Sequence, residues 1–123
     1  MIISPAIPHF TWDEVVCRCC GRVIPDSRFF RHMQKLEQLR VWWDGPLYIT
    51  SGYRCPHHNA HVGGALDSQH KQFATDIQAV YPDPDDVDQL ADKAESLDFH
   101  GIGRYSTFVH LDLRGWRAAW NER

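Results

Sequence analysis

The sequence predicts an α+β domain, a small and largely antiparallel sheet with helices packed on it. Two helical segments precede the first strand-like run, only a few short β-prone runs follow, and a further amphipathic helix stands among them. At 123 residues the chain reads as one domain, 1–123, large enough to close its own core.

Phe10-Thr11-Trp12-Asp13-Glu14-Val15 starts a short helix. Thr11 and Glu14 stand at capping-box spacing, and Phe10 with Val15 at the spacing of a hydrophobic staple. A cysteine-rich turn ending at Gly21 follows, and Pro25-Asp26-Ser27 opens a longer helix. Its Phe29, Phe30, Met33, Leu36, Leu39 and Trp43 recur every three or four residues as one apolar face, and Asp44-Gly45-Pro46 stops it. Leu47 to Thr50 is β-prone. From Ser51 to Gln69 the pattern dissolves into Gly, Pro, His, Asn and Ser, a long loop of the kind that carries function. Phe73 to Val80 reads as a second strand. Asp83-Pro84 begins a helix with Val87, Leu90, Ala91, Ala94 and Leu97 on one face. Gly101–Tyr105 and Phe108–Leu113 form two strands about a tight Ser-Thr turn, and Gly115 to Trp120 closes the chain.

A net charge of −3 without any basic stripe argues against nucleic acid as a partner. No apolar run approaches the roughly 20 residues of a membrane span. MIISPAIPHF lacks the basic and apolar regions of a secretory signal, so the expectation is synthesis in the cytoplasm, with any action outside it depending on release by other means. The five tryptophans suit a compact aromatic core or a carbohydrate-facing surface, the core being the commoner use. Of the four cysteines, Cys17, Cys19 and Cys20 cluster and Cys55 stands apart. A long-range disulfide and free thiols are both open. Read as C-x-C-C with one distant partner, the set matches a structural zinc site poorly.

Eight histidines are many for such a chain. His70 precedes Asp76 by six residues, and His110 precedes Asp112 by two on a predicted strand, where residues two apart share a face. Two imidazoles and a carboxylate are what a catalytic zinc site takes while keeping one position for water. On spacing alone, solvated histidines and a local His–Asp hydrogen bond are the commoner readings of such residues. His57 and His61 are four apart, which a helical turn would bring together, but solvated or substrate-facing roles suit them better than a second metal. His9, His32 and His100 show no partner pattern, and His32 falls on the polar side of its helix, where a solvated ring is expected.

Ser51-Gly52-Tyr53-Arg54-Cys55-Pro56, His58-Asn59, Val62-Gly63-Gly64-Ala65, Ser68-Gln69-His70, Ala74, Asp76-Ile77, Gly101-Ile102-Gly103, Phe108-Val109-His110 and Asp112 follow one another in a recognisable order. Together they resemble the M15 family of zinc peptidases, in its short branch of phage lysins and D-alanyl-D-alanine carboxypeptidase-like proteins. The resemblance runs from about His9 to Trp120. It implies the fold shared with hedgehog and D-Ala-D-Ala peptidases, and a Zn2+ cofactor held by His70, Asp76 and His110. It implies hydrolysis of peptidoglycan stem peptides, of either the D-alanyl-D-alanine carboxypeptidase or the L-alanyl-D-glutamate endopeptidase type. Arg54 then steadies the scissile carbonyl oxygen or grips a substrate carboxylate, and Ser68 contacts substrate or the ligand loop. The protein would be a monomer that reaches the wall after release, as a phage or prophage lysin does.

Two positions depart from the family pattern. The step from the metal His to the Asp is six rather than seven, without the family's Gly, and Thr107 stands where many members carry an acidic residue three before the late His. Asp112 therefore becomes the expected general base, or else the carboxylate that orients a ligand His. These departures keep open a peptidoglycan-binding module without catalysis, and a phage structural component whose zinc only stabilises the fold stands as a second alternative.

Overall fold

The computed structural model describes residues 1–80 and 83–123. In chain order the elements are β1 (Ile2–Ser4), β2 (Ile7–Thr11), α1 (Trp12–Val15), α2 (Ser27–Trp43), β3 (Leu47–Ser51), α3 (Pro56–His61), a 3-10 turn (Gln69–Lys71), β4 (Ala74–Ala79), α4 (Pro84–Ser96), β5 (Gly101–Arg104), β6 (Val109–Asp112) and β7 (Ala118–Asn121). Helices and two sheets make this a mixed α+β fold, as the sequence pattern predicts. β1 and β2 form a two-stranded ribbon, and the main sheet has the order β3-β4-β6-β5-β7. Its pairings are antiparallel except at the edge, where β7 runs parallel to β5.

The helix boundaries follow from their caps. Glu14 reaches back to the Thr11 backbone N–H at 2.9 Å, and the Asp26 carboxylate accepts from Phe29 N at 2.9 Å. Asp44 ends α2 in the left-handed conformation, φ 58°, its N–H bonded to the Arg40 carbonyl. Asp83 and Asp86 close a reciprocal box at the start of α4. The inward faces of α2 (Phe29, Met33, Leu36, Leu39) and α4 (Val87, Leu90, Ala91, Ala94) meet Ile77, Val109 and Leu111 of the sheet in one core. Phe73 packs edge-on against Phe29 with ring centres 4.8 Å apart.

Three expectations need correction. The helices do not precede every strand, because the β1–β2 ribbon opens the chain. Pro5 and Pro8 interrupt the alternation by which Ile3, Ile7 and Phe10 point inward, and Pro8 is tolerated because a two-stranded ribbon leaves its strands at an edge. The 51–69 loop contains α3, with Cys55 as its cap and Pro56 in its first turn. His32 is fully buried rather than solvated. Its ring lies edge-on to Phe73 and Phe99, at 4.7 and 5.1 Å, and one nitrogen pairs with Thr75 Oγ1 at 2.9 Å. Helix α2 is covered over a wider arc than its apolar stripe indicates.

Burial lowers the His32 pKa from 6.5 to about 3. The unfolded chain takes up this proton first, so stability is complete above pH 6.5 and declines as the pH falls toward 3. The expected slope is about 1.4 kcal/mol per pH unit. Denaturant unfolding between pH 4 and 7 should show that slope reduced in His32→Gln relative to wild type, and equal slopes would refute a neutral buried imidazole.

Candidate metal centre

The register of the main sheet decides which side chains meet. Asp76 pairs with His110, His110 with Gly103, and Gly103 with Trp120, so one row crosses β4, β6, β5 and β7. A second row places Ala74, Asp112, Gly101 and Ala118 beside it. Strand alternation turns Thr75, Ile77, Val109 and Leu111 into the core and leaves Asp76, His110 and Asp112 together on the opposite face.

His70 comes to this face from the 3-10 turn. Ser68 Oγ accepts from His70 N at 3.2 Å and from Arg54 Nη2 at 3.2 Å, while Arg54 N donates to the His70 carbonyl at 2.8 Å. The shortened step from His70 to Asp76 is taken up here. The residue in the place of the missing glycine region, Phe73, is buried in the core, and β4 begins immediately after it at Ala74.

His70 Nδ1 lies 2.7 Å from the Gly52 carbonyl, and its Nε2 lies 3.2 Å from Asp76 Oδ1. His110 Nδ1 lies 3.1 Å from the same Asp76 oxygen, and its Nε2 lies 2.7 Å from Asp112 Oδ2. The Gly52 carbonyl can only accept, so His70 carries a proton on Nδ1, and the shorter contact to Asp112 assigns the His110 proton to Nε2 when that ring is neutral. The inner nitrogens, His70 Nε2 and His110 Nδ1, then turn lone pairs toward a carboxylate oxygen. Three acceptors facing one another need protons or a cation between them, and the donor set of two imidazoles and one carboxylate suits zinc. Ligand atoms of His70, Asp76 and His110 all lie within 4.8 Å of one another. With protons on the two facing nitrogens in place of a cation, burial raises the Asp76 carboxyl but hydrogen bonds donated by His110 and His70 outweigh that and hold it at about 2. Burial lowers the His110 imidazole, and Asp112 and Asp76 more than offset it, raising the ring above its ordinary 6.5.

Asp112 is wholly buried and both of its oxygens are engaged. Besides His110, it accepts from Arg114 N at 3.0 Å, Nε at 2.9 Å and Nη2 at 2.7 Å. Burial raises its pKa, yet these donors hold it well below the carboxylate range. The Arg114 guanidinium lies over Trp120 and Trp116, 5.0 and 5.5 Å from the ring centres. Sequence reasoning passed over Arg114 and Trp120, although Asp112-Leu113-Arg114 repeats the two-residue step that relates His110 to Asp112. It also gave no reason for Gly101 and Gly103. A Cβ on Gly101 would stand 2.3 Å from the Asp112 oxygens, and one on Gly103 2.4 Å from the Trp120 ring.

A cavity of about 700 Å³ opens over the row, with Arg54, Ser68, His70, Asp76 and His110 in its wall and Asp112 outside it. Arg54 Nε finds no acceptor among the described residues. His57 and His61 are exposed on α3 and join no metal cluster among the described residues. His9 and His100, read as unpartnered, bond to the Glu37 carboxylate and the Arg114 carbonyl. Thr107 is exposed in the turn between β5 and β6.

The peptidase M15 family model matches residues 8–112. The chain belongs to the peptidase M15 family. Comparison with curated proteins gives no match. Membership implies hydrolase chemistry on a peptide, and M15 peptidases are zinc-dependent. Among the described residues of this M15 chain, no helix is long and apolar enough to cross a membrane.

The two glycines provide a test of the packed row. Gly101→Ala should cost roughly 1–3 kcal/mol by forcing the buried Asp112 carboxylate away from its donors. Denaturant unfolding measures this, and an unchanged midpoint and slope would mean the row has slack that the contacts do not show.

Proposed function

We propose that this M15 peptidase is a zinc-dependent hydrolase of peptidoglycan stem peptides, with the metal held by His70 Nε2, Asp76 and His110 Nδ1. The observation that carries the reading is the convergence of two imidazole nitrogens on one carboxylate oxygen at the wall of an open cavity. Zinc bound there would polarise a carbonyl and bring the pKa of a water toward about 7.

The protein groups divide the remaining work. Gly52 and Asp112 fix the two rings by accepting their outer N–H protons, an arrangement that supports ligand basicity and orientation. Arg54, steadied by Ser68, faces the cavity with donors to spare and is assigned to the carbonyl oxygen as charge develops on it. Asp112 has its oxygens committed to His110 and Arg114, which suits it to positioning His110 rather than to taking a proton. Asp67 is the other carboxylate in the cavity wall besides Asp76, and it is exposed. We assign it the proton-accepting role. Arg54 and Lys71 bring positive charge to the wall outside any ion pair among the described residues, which favours short peptides bearing free carboxylates, as stem peptides do.

Purified chain should carry zinc that His110→Ala loses, and should release stem-peptide fragments from peptidoglycan, read by mass spectrometry of the products. Zinc retention without any cleavage would leave a binding module and defeat the proposal. The fragments themselves distinguish a D-alanyl-D-alanine carboxypeptidase from an L-alanyl-D-glutamate endopeptidase.

Three substitutions separate the roles. Asp67→Asn should keep the metal and lower kcat about 10²-fold or more. Arg54→Ala should also keep the metal, with a loss in kcat of about 10²–10³-fold. Asp112→Asn should weaken zinc affinity about 10–100-fold, with activity returning in excess zinc. If Asp112→Asn kept full zinc and lost only turnover, Asp112 would be the base after all.

A further inference from the structure

The turn after α1 and the cap of α3 bring three sulfurs together at a distance in sequence. Cys17, Cys20 and Cys55 place their Sγ atoms within 4.8 Å of one another. All four cysteines are free thiols. A disulfide needs its sulfurs about 2.05 Å apart. Thiolates around a tetrahedral zinc, with bonds of about 2.3 Å, stand about 3.8 Å from each other.

The local backbone is shaped for anionic sulfur. Residues 17–21 form a closed turn, with Cys17 N bonded to the Arg22 carbonyl at 2.7 Å and Gly21 N to the Cys17 carbonyl at 2.8 Å. Gly21 adopts φ +70°, a conformation that glycine reaches without strain. Backbone donors then point at the sulfurs. Cys55 N lies 3.4 Å from Cys17 Sγ, and His58 N lies 3.4 Å from Cys55 Sγ. Such N–H groups stabilise thiolate, the form that binds metal. Read as C-x-C-C, the cluster hides its useful step: Cys17 and Cys20 are a C-x₂-C-G turn, the arrangement that supplies two ligands of a structural zinc. Cys19 is exposed on the same turn.

We propose that Cys17, Cys20 and Cys55 form a second metal site, for a thiophilic divalent ion such as zinc, separate from the His70–Asp76–His110 centre. The site joins two segments that already touch. Tyr53 N donates to the Val15 carbonyl at 3.0 Å, and a Cβ on Gly52 would stand 2.6 Å from that same oxygen. Between Gly52 and Cys55 lie the carbonyl that orients His70 and the guanidinium of Arg54. A metal on the three thiolates clamps the N-terminal arm to this segment, so it positions the catalytic face without entering it. Cys20 and its neighbour Cys19 are exposed, so the cluster borders solvent.

The test uses the whole chain, purified with a reductant and reconstituted with Co2+ in place of its native metal. The His70–Asp76–His110 centre contains no sulfur, so thiolate-to-cobalt charge-transfer absorption in the near ultraviolet reports the cysteine site alone. We expect that band in wild type, with about two metals per chain. His110→Ala should keep the band and one metal, and Cys17→Ser should lose the band while keeping the other metal. Alkylation should reach all four thiols only after chelation and denaturation. A wild type without the band, or with two thiols missing from the count after purification without reductant, overturns the proposal, the latter in favour of a disulfide. Because wild type decides the matter by itself, a variant that failed to fold would not shelter the idea.

Discussion

The pairing of Asp76 with His110 across β4 and β6 is the constraint on which the candidate site depends. Side chains directly opposite in an antiparallel pair stand about 4.5–5.5 Å apart, close enough for an imidazole and a carboxylate to meet without any long reach. The same register continues to Gly103 and Trp120, so the ring of His110 lies 5.2 Å from that indole on its far side. A slip of one residue in β6 would send His110 and Asp112 into the core and bring Val109 and Leu111 out. The hydrophobic core therefore protects the site. Val109 and Leu111 are fully buried, and exposing them would cost several kcal/mol.

Much of this was legible in the sequence. The period of α2 and α4, the start of β4 and the shared face of His110 and Asp112 all follow from simple alternation. What alternation cannot show is which strand lies beside which. The role of Trp120 depends on β7 joining β5 in parallel, a pairing between segments that no local pattern connects. Gly101 and Gly103 sit in a predicted strand with no local reason to be glycine until the neighbours supply Asp112 and Trp120 to fill their missing side chains. His32 misled because a helical wheel places a polar residue by its own chain, whereas Phe73 and Phe99 come from elsewhere to cover it.

The departure from the family spacing has a similar explanation. A loop counted in residues matters only through where it delivers its ends. Here the 3-10 turn advances the chain quickly, Ser68 caps it, and Phe73 anchors the far side in the core against Phe29. Six steps thus bring His70 Nε2 to the Asp76 oxygen, with Phe73 buried in the core between them in sequence.

Protons and a metal ion compete for the same three inner atoms, and this separates the site's shape from its occupancy. With His110 raised above 6.5 and Asp76 held at about 2, acidification protonates an imidazole long before the carboxylate. A protonated ring still donates to Asp76, so the geometry survives while the lone pair a metal needs is lost. The site should then empty as pH falls through the imidazole range without unfolding the domain, because the outer bonds to Gly52 and Asp112 do not depend on the inner proton. The sheet register holds Asp76 and His110 opposite each other, and Asp112 with its Arg114 clamp holds the outer nitrogen of His110, so both constraints act on the candidate site through the protein's own contacts.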